Sequence, residues 1–525
     1  MVTLLPAWQD DKLSLVYDDM ISLANNFKQN KIDVHLMLVQ YLPSLRYLLH
    51  RYNLLETDWW NVFDEIQNIG VREGQPADVT DLTWPISANR VYSRSGMFIY
   101  EGRTKIASAE VSSDSYLSAV HYYDEGTENI DVYDDRGFIT SHRTLANGQL
   151  QEIQWFNEHH QLIMTANADG EIQIDSDQQQ RFDQQSYGSL QDIVVEFVNR
   201  HLQEHQIDQI VAAADETIIE VADQIDDDVQ CHFVVQYDSS HARIQPEAVE
   251  VLNRRAQTVV VPLQSLVEPL KQQLTAPQIL SHAPYSTDLD LGVSNEQDNM
   301  KIFWNVDHAN NALADQVVYR LIQGTIAHDD WELSINTDSK EQSARFLAQI
   351  QQLVQDQYSL LGRNDEVQTV RSYLRSMKEK ALFQDQQEAI DRLKKMPFWS
   401  NIRVAAGLLE RIEVKENENQ KKLLKDLDTA RVVVDLAPVP NLFVQIQAIS
   451  AGIPQINTSK SEYVIPSENG TLINKASEID AALDYFLAVL RNWNVSLIKN
   501  IDLIEKYSSV QLVEFWKDIL ANGRA

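Results

Sequence analysis

A chain of 525 residues, 44% apolar and 23% charged, has the length and apolar content for two or three packed domains, and this composition excludes wholesale disorder. Its one cysteine, Cys231, excludes an internal disulfide framework and suits a reducing cytoplasm. The net charge of −33 lies almost wholly in residues 1–300, which hold 18 basic and 47 acidic side chains against 26 and 30 in residues 301–525. So acidic a surface repels phosphate backbones and excludes nucleic acid as a partner of the N-terminal part.

In chain order, Met1 to Lys12 has a short apolar run backed by Asp10 and Asp11, with no basic residue ahead of it. This reads as a buried first strand, Val2–Leu5, and not as a signal peptide. Ser14–Phe27 has helical spacing at Leu15, Met20, Leu23 and Phe27. Asp33–Tyr41 predicts a second strand and Leu45–Leu55 a helix, an alternation that argues for a parallel α/β layer.

From about Arg90 to Asp175 the pattern changes to short alternating segments. They are broken by Asp135-Arg136-Gly137, Asn147-Gly148 and Asp169-Gly170, turn residues that supply the positive φ of tight hairpins. An antiparallel insertion is expected there, with strands at Tyr116–Tyr123, Phe138–Thr144, Gln151–Phe156 and Leu162–Asn167. The polar stretch Gln178–Gln185 reads as a linker.

The α/β alternation returns with strands at Gln209–Ala213, Cys231–Tyr237 and Thr258–Pro262. A second linker, Ser281–Asn299, leads to Lys301–Trp304. Further strands are expected near Glu332–Asn336, Val432–Leu436 and Pro454–Asn457, and helices from Ser477 to Leu520. Basic residues gather at Arg371, Arg375, Lys378, Lys380, Arg392, Lys394 and Lys395, but Glu379, Glu388 and Asp391 dilute them into a solvated helix face. The expected fold class is α/β, with two facing Rossmann-like domains and an antiparallel β-sheet inserted in the first. The expected boundaries are 1–89, 90–175 (insertion), 176–290, 291–480 and 481–525 (helices).

No phosphate-binding loop, nucleophile elbow, metalloprotease helix or zinc-type cysteine pair occurs. His159-His160 are strand neighbours that point to opposite faces, so they do not suggest a shared metal. No metal, cofactor or catalytic residue is expected.

The most specific run is Gln447-Ala448-Ile449-Ser450-Ala451-Gly452-Ile453-Pro454, followed by Glu462-Tyr463-Val464 and Glu468-Asn469-Gly470-Thr471-Leu472. It resembles the donor-site motif of retaining glycosyltransferases of the two-domain GT-B fold. In that family two glutamates, eight residues apart, hold the donor sugar and the ribose, and an Arg–Lys pair neutralises the leaving diphosphate. The matching positions here are Val439 and Gln447, and no lysine or arginine lies between Lys301 and Arg320. Valine accepts no hydrogen bond, and glutamine accepts one without charge assistance. Stabilising the leaving group is usually a dominant catalytic term, so the resemblance implies a degenerate donor site at Val439, Gln447, Gly452, Pro454 and Glu462.

Four further segments carry a narrower resemblance: Tyr41–Arg51, Trp59–Gln67, Asp81-Leu82-Thr83-Trp84-Pro85 and Tyr133–Ile139. Together they resemble the first-member family of the three accessory secretory (Asp) proteins of the accessory Sec system. That resemblance implies a GT-B-like protein without transferase activity. It would assemble with the two other accessory secretory proteins and work with a SecA-type motor. It would help export a glycosylated serine-rich repeat adhesin, from the cytoplasm or peripherally at the inner face of the membrane. Arg46, His50 and Arg51 are candidate cleft contacts. Two other readings are an active transferase with a rewired donor site and a carbohydrate- or peptide-binding module acting through the β insertion.

Overall fold

The computed structural model describes residues 1–9, 18–93, 96–112, 115–124, 126–235, 246–378, 384–416 and 420–522. Lys380 and Glu379, the start of the Ser14–Phe27 helix and the end of the Cys231–Tyr237 strand lie outside the described residues.

Among the described residues the strands form three sheets. The first is parallel throughout and seven-stranded. From edge to edge it runs Gln278–Ser281, Ala256–Val261, Gln230–Val234, Gln209–Ala213, Val2–Leu5, Val34–Leu38, Asp58–Asn61. Val2–Leu5 and Val34–Leu38 are buried at every position, as strands covered on both faces must be, and they read as near-continuous apolar runs, broken only by Thr3 and His35. The third sheet is also parallel, six-stranded, in the order Ile412–Glu416, Trp331–Thr337, Met300–Asn305, Ala430–Asp435, Gln455–Asn457, Gly470–Leu472. In each sheet the strand order reverses beside the domain's first strand, where α/β folds open a crevice.

Inserted within the first unit in sequence is a ten-stranded antiparallel meander running from Ala88 to Tyr187. One short strand, Ser186–Tyr187, paired with Ile172–Ile174, extends it past residue 175. The polar stretch Gln178–Gln185 is therefore the connection between its last two strands. Trp155, Met164, Ile172 and Tyr187 pack into the first domain's core with Phe63, Phe197 and Ile207. At the other end the sheet turns its opposite face inward, burying Met97, Ile99, Ala107 and Val120 against Val79, Leu82 and Trp84.

The expected α/β arrangement with an antiparallel insertion is therefore what the chain adopts. Within the two parallel sheets, four strands had no counterpart in the sequence reading: Asp58–Asn61, Gln278–Ser281, Ile412–Glu416 and Gly470–Leu472. They are the four edges of the two parallel sheets. An edge strand is short and half solvated, so it lacks the continuous apolar run that marks a central one.

The C-terminal helices tie the units together. Thr287, in the interdomain connection, donates its hydroxyl to the carbonyl of Ile504 at 2.8 Å. The final helix, Ser509–Asn522, returns to the first domain, where Leu512, Val513 and Trp516 pack with Met20, Leu23 and Phe27. No helix among the described residues is long and apolar enough to cross a membrane.

Candidate functional site

The carboxyl ends of the second domain's strands set the geometry. Register places Asn336, Asn305, Asp435 and Asn457 side by side on four neighbouring strands, and all four are buried. Asp435 accepts hydrogen bonds from the backbone N–H groups of Asn441 at 2.8 Å and Ala437 at 3.1 Å. Burial pushes its carboxyl up to about 6 despite those donors. The loop so wrapped around Asp435 carries Val439, half-buried, and delivers the chain to Asn441. Asn441 caps the helix Leu442–Ser450 by accepting from Val444 N–H.

Gln447 lies on that helix, half-buried. Gly452 ends it with φ of +73°, a conformation open to glycine, and a Cβ there would lie 2.5 Å from Leu497. The Pro454 carbonyl then accepts from Val433 N–H at 3.0 Å, seating the next strand. Glu462 faces the other domain. Its carboxylate accepts from the backbone N–H of Gln264 at 2.8 Å and from the Ser281 hydroxyl at 3.4 Å. Tyr463 adds a third bond across the same seam, its hydroxyl donating to the Pro262 carbonyl at 3.1 Å.

The segment after the second domain's first strand, which the donor-site resemblance singles out, carries carboxyl and amide groups. After Met300–Asn305 the chain passes through buried Asp307, which accepts from Asp338 N–H at 2.8 Å and whose carboxyl is pushed up by burial. The following helix, Asn311–Ala327, is capped by Asn310, whose side chain accepts from Ala312 and Leu313 N–H at 3.0 and 3.2 Å. A helix start would otherwise offer those N–H groups to an anion. Asn310 occupies two of them, and a carboxyl group stands beside it. Lys301 points away, to Asp426 and Thr429.

The first-domain candidates separate. On the helix Leu45–Arg51, the backbone N–H groups of Arg46 and Tyr47 are capped by Asp135 at 2.7 and 3.2 Å, and the Arg46 guanidinium reaches the Gly74 carbonyl at 3.2 Å. Arg46 thus serves the seam with the insertion, because the helix start is what the Asp135 hairpin meets. His50 is exposed at the far end. Arg51 lines an interdomain groove of about 410 Å³ whose opposite wall carries Gln447 and Phe443. Arg51 and Gln447 are the two candidates brought together. Sequence reasoning missed Asn26, Tyr285 and Asp288 on the same walls; helical spacing marked only the apolar face of the first helix, and Tyr285 and Asp288 lay in a presumed linker. The basic cluster is ion-paired, Arg371 and Arg375 both with Glu410 and Lys394 with Asp391.

Comparison with known proteins gives the family and the fold. The family model for the accessory Sec system protein that is member one of the Asp series matches residues 5–523. The corresponding accessory Sec protein of Streptococcus gordonii is 26% identical over 97% of this chain and 94% of its own length. A crystal structure of accessory secretory proteins 1, 2 and 3 in Streptococcus pneumoniae superposes with a TM-score of 0.73, 22% identity and 99% of each chain covered. The pneumococcal O-GlcNAc transferase GtfA, solved with UDP and GlcNAc, superposes with a TM-score of 0.66 at 11% identity, again over 99% of each chain. The fold is therefore GT-B-like.

Proposed function

The chain belongs to the accessory Sec system protein family of the first Asp member, and on that premise we propose that it is a non-enzymatic export factor. It assembles with the two other accessory secretory proteins and helps deliver a glycosylated serine-rich repeat adhesin to a dedicated SecA-type motor. It works in the cytoplasm, with peripheral contact at the inner face of the membrane. Support for assembly comes from the relatives solved as accessory secretory proteins 1, 2 and 3.

The observation that carries the non-enzymatic reading is the start of the helix Asn311–Ala327. Asn310 takes its first N–H groups, Asp307 stands beside it, and no lysine or arginine lies between Lys301 and Arg320. A leaving diphosphate would meet a carboxyl group where transfer chemistry needs positive charge. Val439 and Gln447, in the positions of the donor glutamates, remove two more supports, and Glu462 is engaged in holding the domains together. The framework of Gly452 and Pro454 keeps the fold without the chemistry.

Co-purification tests the assembly. The tagged chain, co-expressed with the two partner proteins, is expected to carry both through affinity and size-exclusion steps as one species. Elution of the chain alone under those conditions contradicts the proposal.

A further inference from the structure

Ala88–Ser93 is the last strand of the ten-stranded sheet, and among the described residues no strand pairs with its outer side. Sheet edges are ordinarily short, bulged, charged or covered, because their free N–H and C=O groups otherwise pair with another chain. The other edges of the three sheets follow that rule. They run from the two residues of Ser186–Tyr187 to the five of Ile412–Glu416, where Glu413, Lys415 and Glu416 add charge. Ala88–Ser93 has six residues, an unbroken register with Gly96–Glu101 and a single charge, Arg90. Val91 and Tyr92 are 50% and 67% exposed. Two copies of a chain of net charge −33 repel one another, but no aspartate or glutamate lies between Asp81 and Glu101 to add to that repulsion here.

The register decides which backbone groups face outward. Ser93 pairs with Gly96 at the closed end of the hairpin, so Ser93, Val91 and Asn89 exchange hydrogen bonds with the neighbouring strand. Arg90 and Tyr92, between them, turn their N–H and C=O groups to the edge. We propose that this edge pairs with the same edge of a second copy of the chain, antiparallel about a two-fold axis, with Val91 facing the partner's Val91. Opposite residues of an antiparallel pair share a face, which leaves two central registers. One sets Arg90 against the partner's Arg90, like charge on like charge. The other, two residues along, sets Arg90 against the partner's Tyr92 and Tyr92 against the partner's Arg90, each a cation beside an aromatic ring. The valine pair then lies between them on the opposite face. Such a contact is isologous, closes on itself and leaves neither edge free. Six residues a side bury less than the roughly 1,200 Å² of a stable interface, so the dimer is weak, with a Kd of about 10–100 µM. This goes beyond the export reading and does not depend on it.

Sedimentation velocity of the full chain and a cysteine cross-link test it. The parent is expected to pass from monomer towards dimer between about 5 and 300 µM. Tyr92→Pro removes an outward N–H and spares the hairpin's own bonds, so it is expected to weaken the dimer about tenfold or more. Val91→Cys brings two thiols together on the two-fold axis, and oxidised glutathione is expected to link them. Arg90→Cys, which faces the partner's Tyr92, is expected to stay unlinked under the same conditions. The native Cys231 is buried and does not compete. Thermal melting of each variant matches the parent if the fold is intact. The proposal is overturned by a parent that stays monomeric to about 300 µM, by a dimer that Tyr92→Pro leaves unchanged, by failure of Val91→Cys to link, or by linking of Arg90→Cys in its place. Tyr92→Pro is also expected to co-purify with both accessory secretory proteins as the parent does. Loss of either protein from that variant assigns the edge to it and overturns the self-pairing, whereas assembly failure in the parent chain overturns the export proposal alone.

Discussion

Arg136 grips Asp64 with two guanidinium nitrogens, at 2.7 and 2.9 Å, across 72 residues of sequence. Its Nε also meets Asp134 at 2.6 Å, and Gly137, at φ of +97°, lets the hairpin close against the Gln75 carbonyl. Two segments that the sequence singled out separately, Trp59–Gln67 and Tyr133–Ile139, thus form one clamp between the first domain and the β insertion. Their adjacent anchor, Gln67, donates to the Thr140 and Phe156 carbonyls at 2.9 and 2.6 Å.

Removing the guanidinium leaves two carboxylates facing a buried seam. Arg136→Met is expected to destabilise the chain by about 3–5 kcal/mol, the cost of breaking a buried ion pair from one side. Urea unfolding followed by tryptophan fluorescence reads this directly; an unchanged midpoint contradicts the clamp.

Glu462 plays the equivalent part between the two α/β domains. Glu462→Ala strips the acceptor from Gln264 N–H and is expected to cost about 1–3 kcal/mol. Hydrogen exchange should quicken selectively at residues 263–266. Glu462→Gln retains an acceptor oxygen and is expected to recover most of the protection.

Several buried carboxyls give stability a pH slope of defined sign. Burial raises Asp19 to about 7, with the neighbouring Asp18 adding to it, Asp135 to about 7 with Asp134 adding, and Asp435 to about 6. In the unfolded chain the same groups titrate near 4. Between about pH 4 and 7 the folded state therefore holds more protons, and stability falls as pH rises through that window. Thermal melting is expected to shift upward on going from pH 7.5 to 5.5. Asp19→Asn, which keeps an acceptor for Tyr285, should flatten that slope; a melting temperature that falls on mild acidification contradicts the assignment.

Placing glutamates at positions 439 and 447 is not expected, by itself, to create nucleotide-sugar binding. In Val439→Glu with Gln447→Glu, Asn310 still caps the helix Asn311–Ala327 and Asp307 still stands beside it. Calorimetry with UDP-N-acetylglucosamine should show no heat of binding at millimolar ligand. Saturable binding by this double variant places the defect in the carboxylates and not at the helix start.

The central layers of the parallel sheets were legible because covered strands are written as near-continuous apolar runs: Val2–Leu5 and Gln209–Ala213 stand where the pattern puts them. The four sheet edges were not, since Asp58-Trp59-Trp60-Asn61 or Ile412–Glu416 mixes polar and apolar residues with one side in solvent. Site residues divided along the same line. The helix stop at Gly452 and the entry to the next strand at Pro454 are local in sequence, so that turn could be read from spacing. Arg46 could not be placed, because which end of its helix meets the insertion is decided by Asp135, 89 residues away. The groove was invisible for a related reason: Asn26 and Gln447 belong to helices brought together only by the interdomain connection and the returning C-terminal helix.

A glycosyltransferase-like fold that serves export without transfer leaves nucleotide-sugars intact. Turnover by the purified chain is the decisive measurement, with UDP-N-acetylglucosamine, UDP-glucose and the adhesin polypeptide supplied together and released UDP measured. Release no faster than in the absence of the chain is expected. Adhesin-dependent UDP release that scales with chain concentration, together with a matching mass increase on the adhesin, contradicts it.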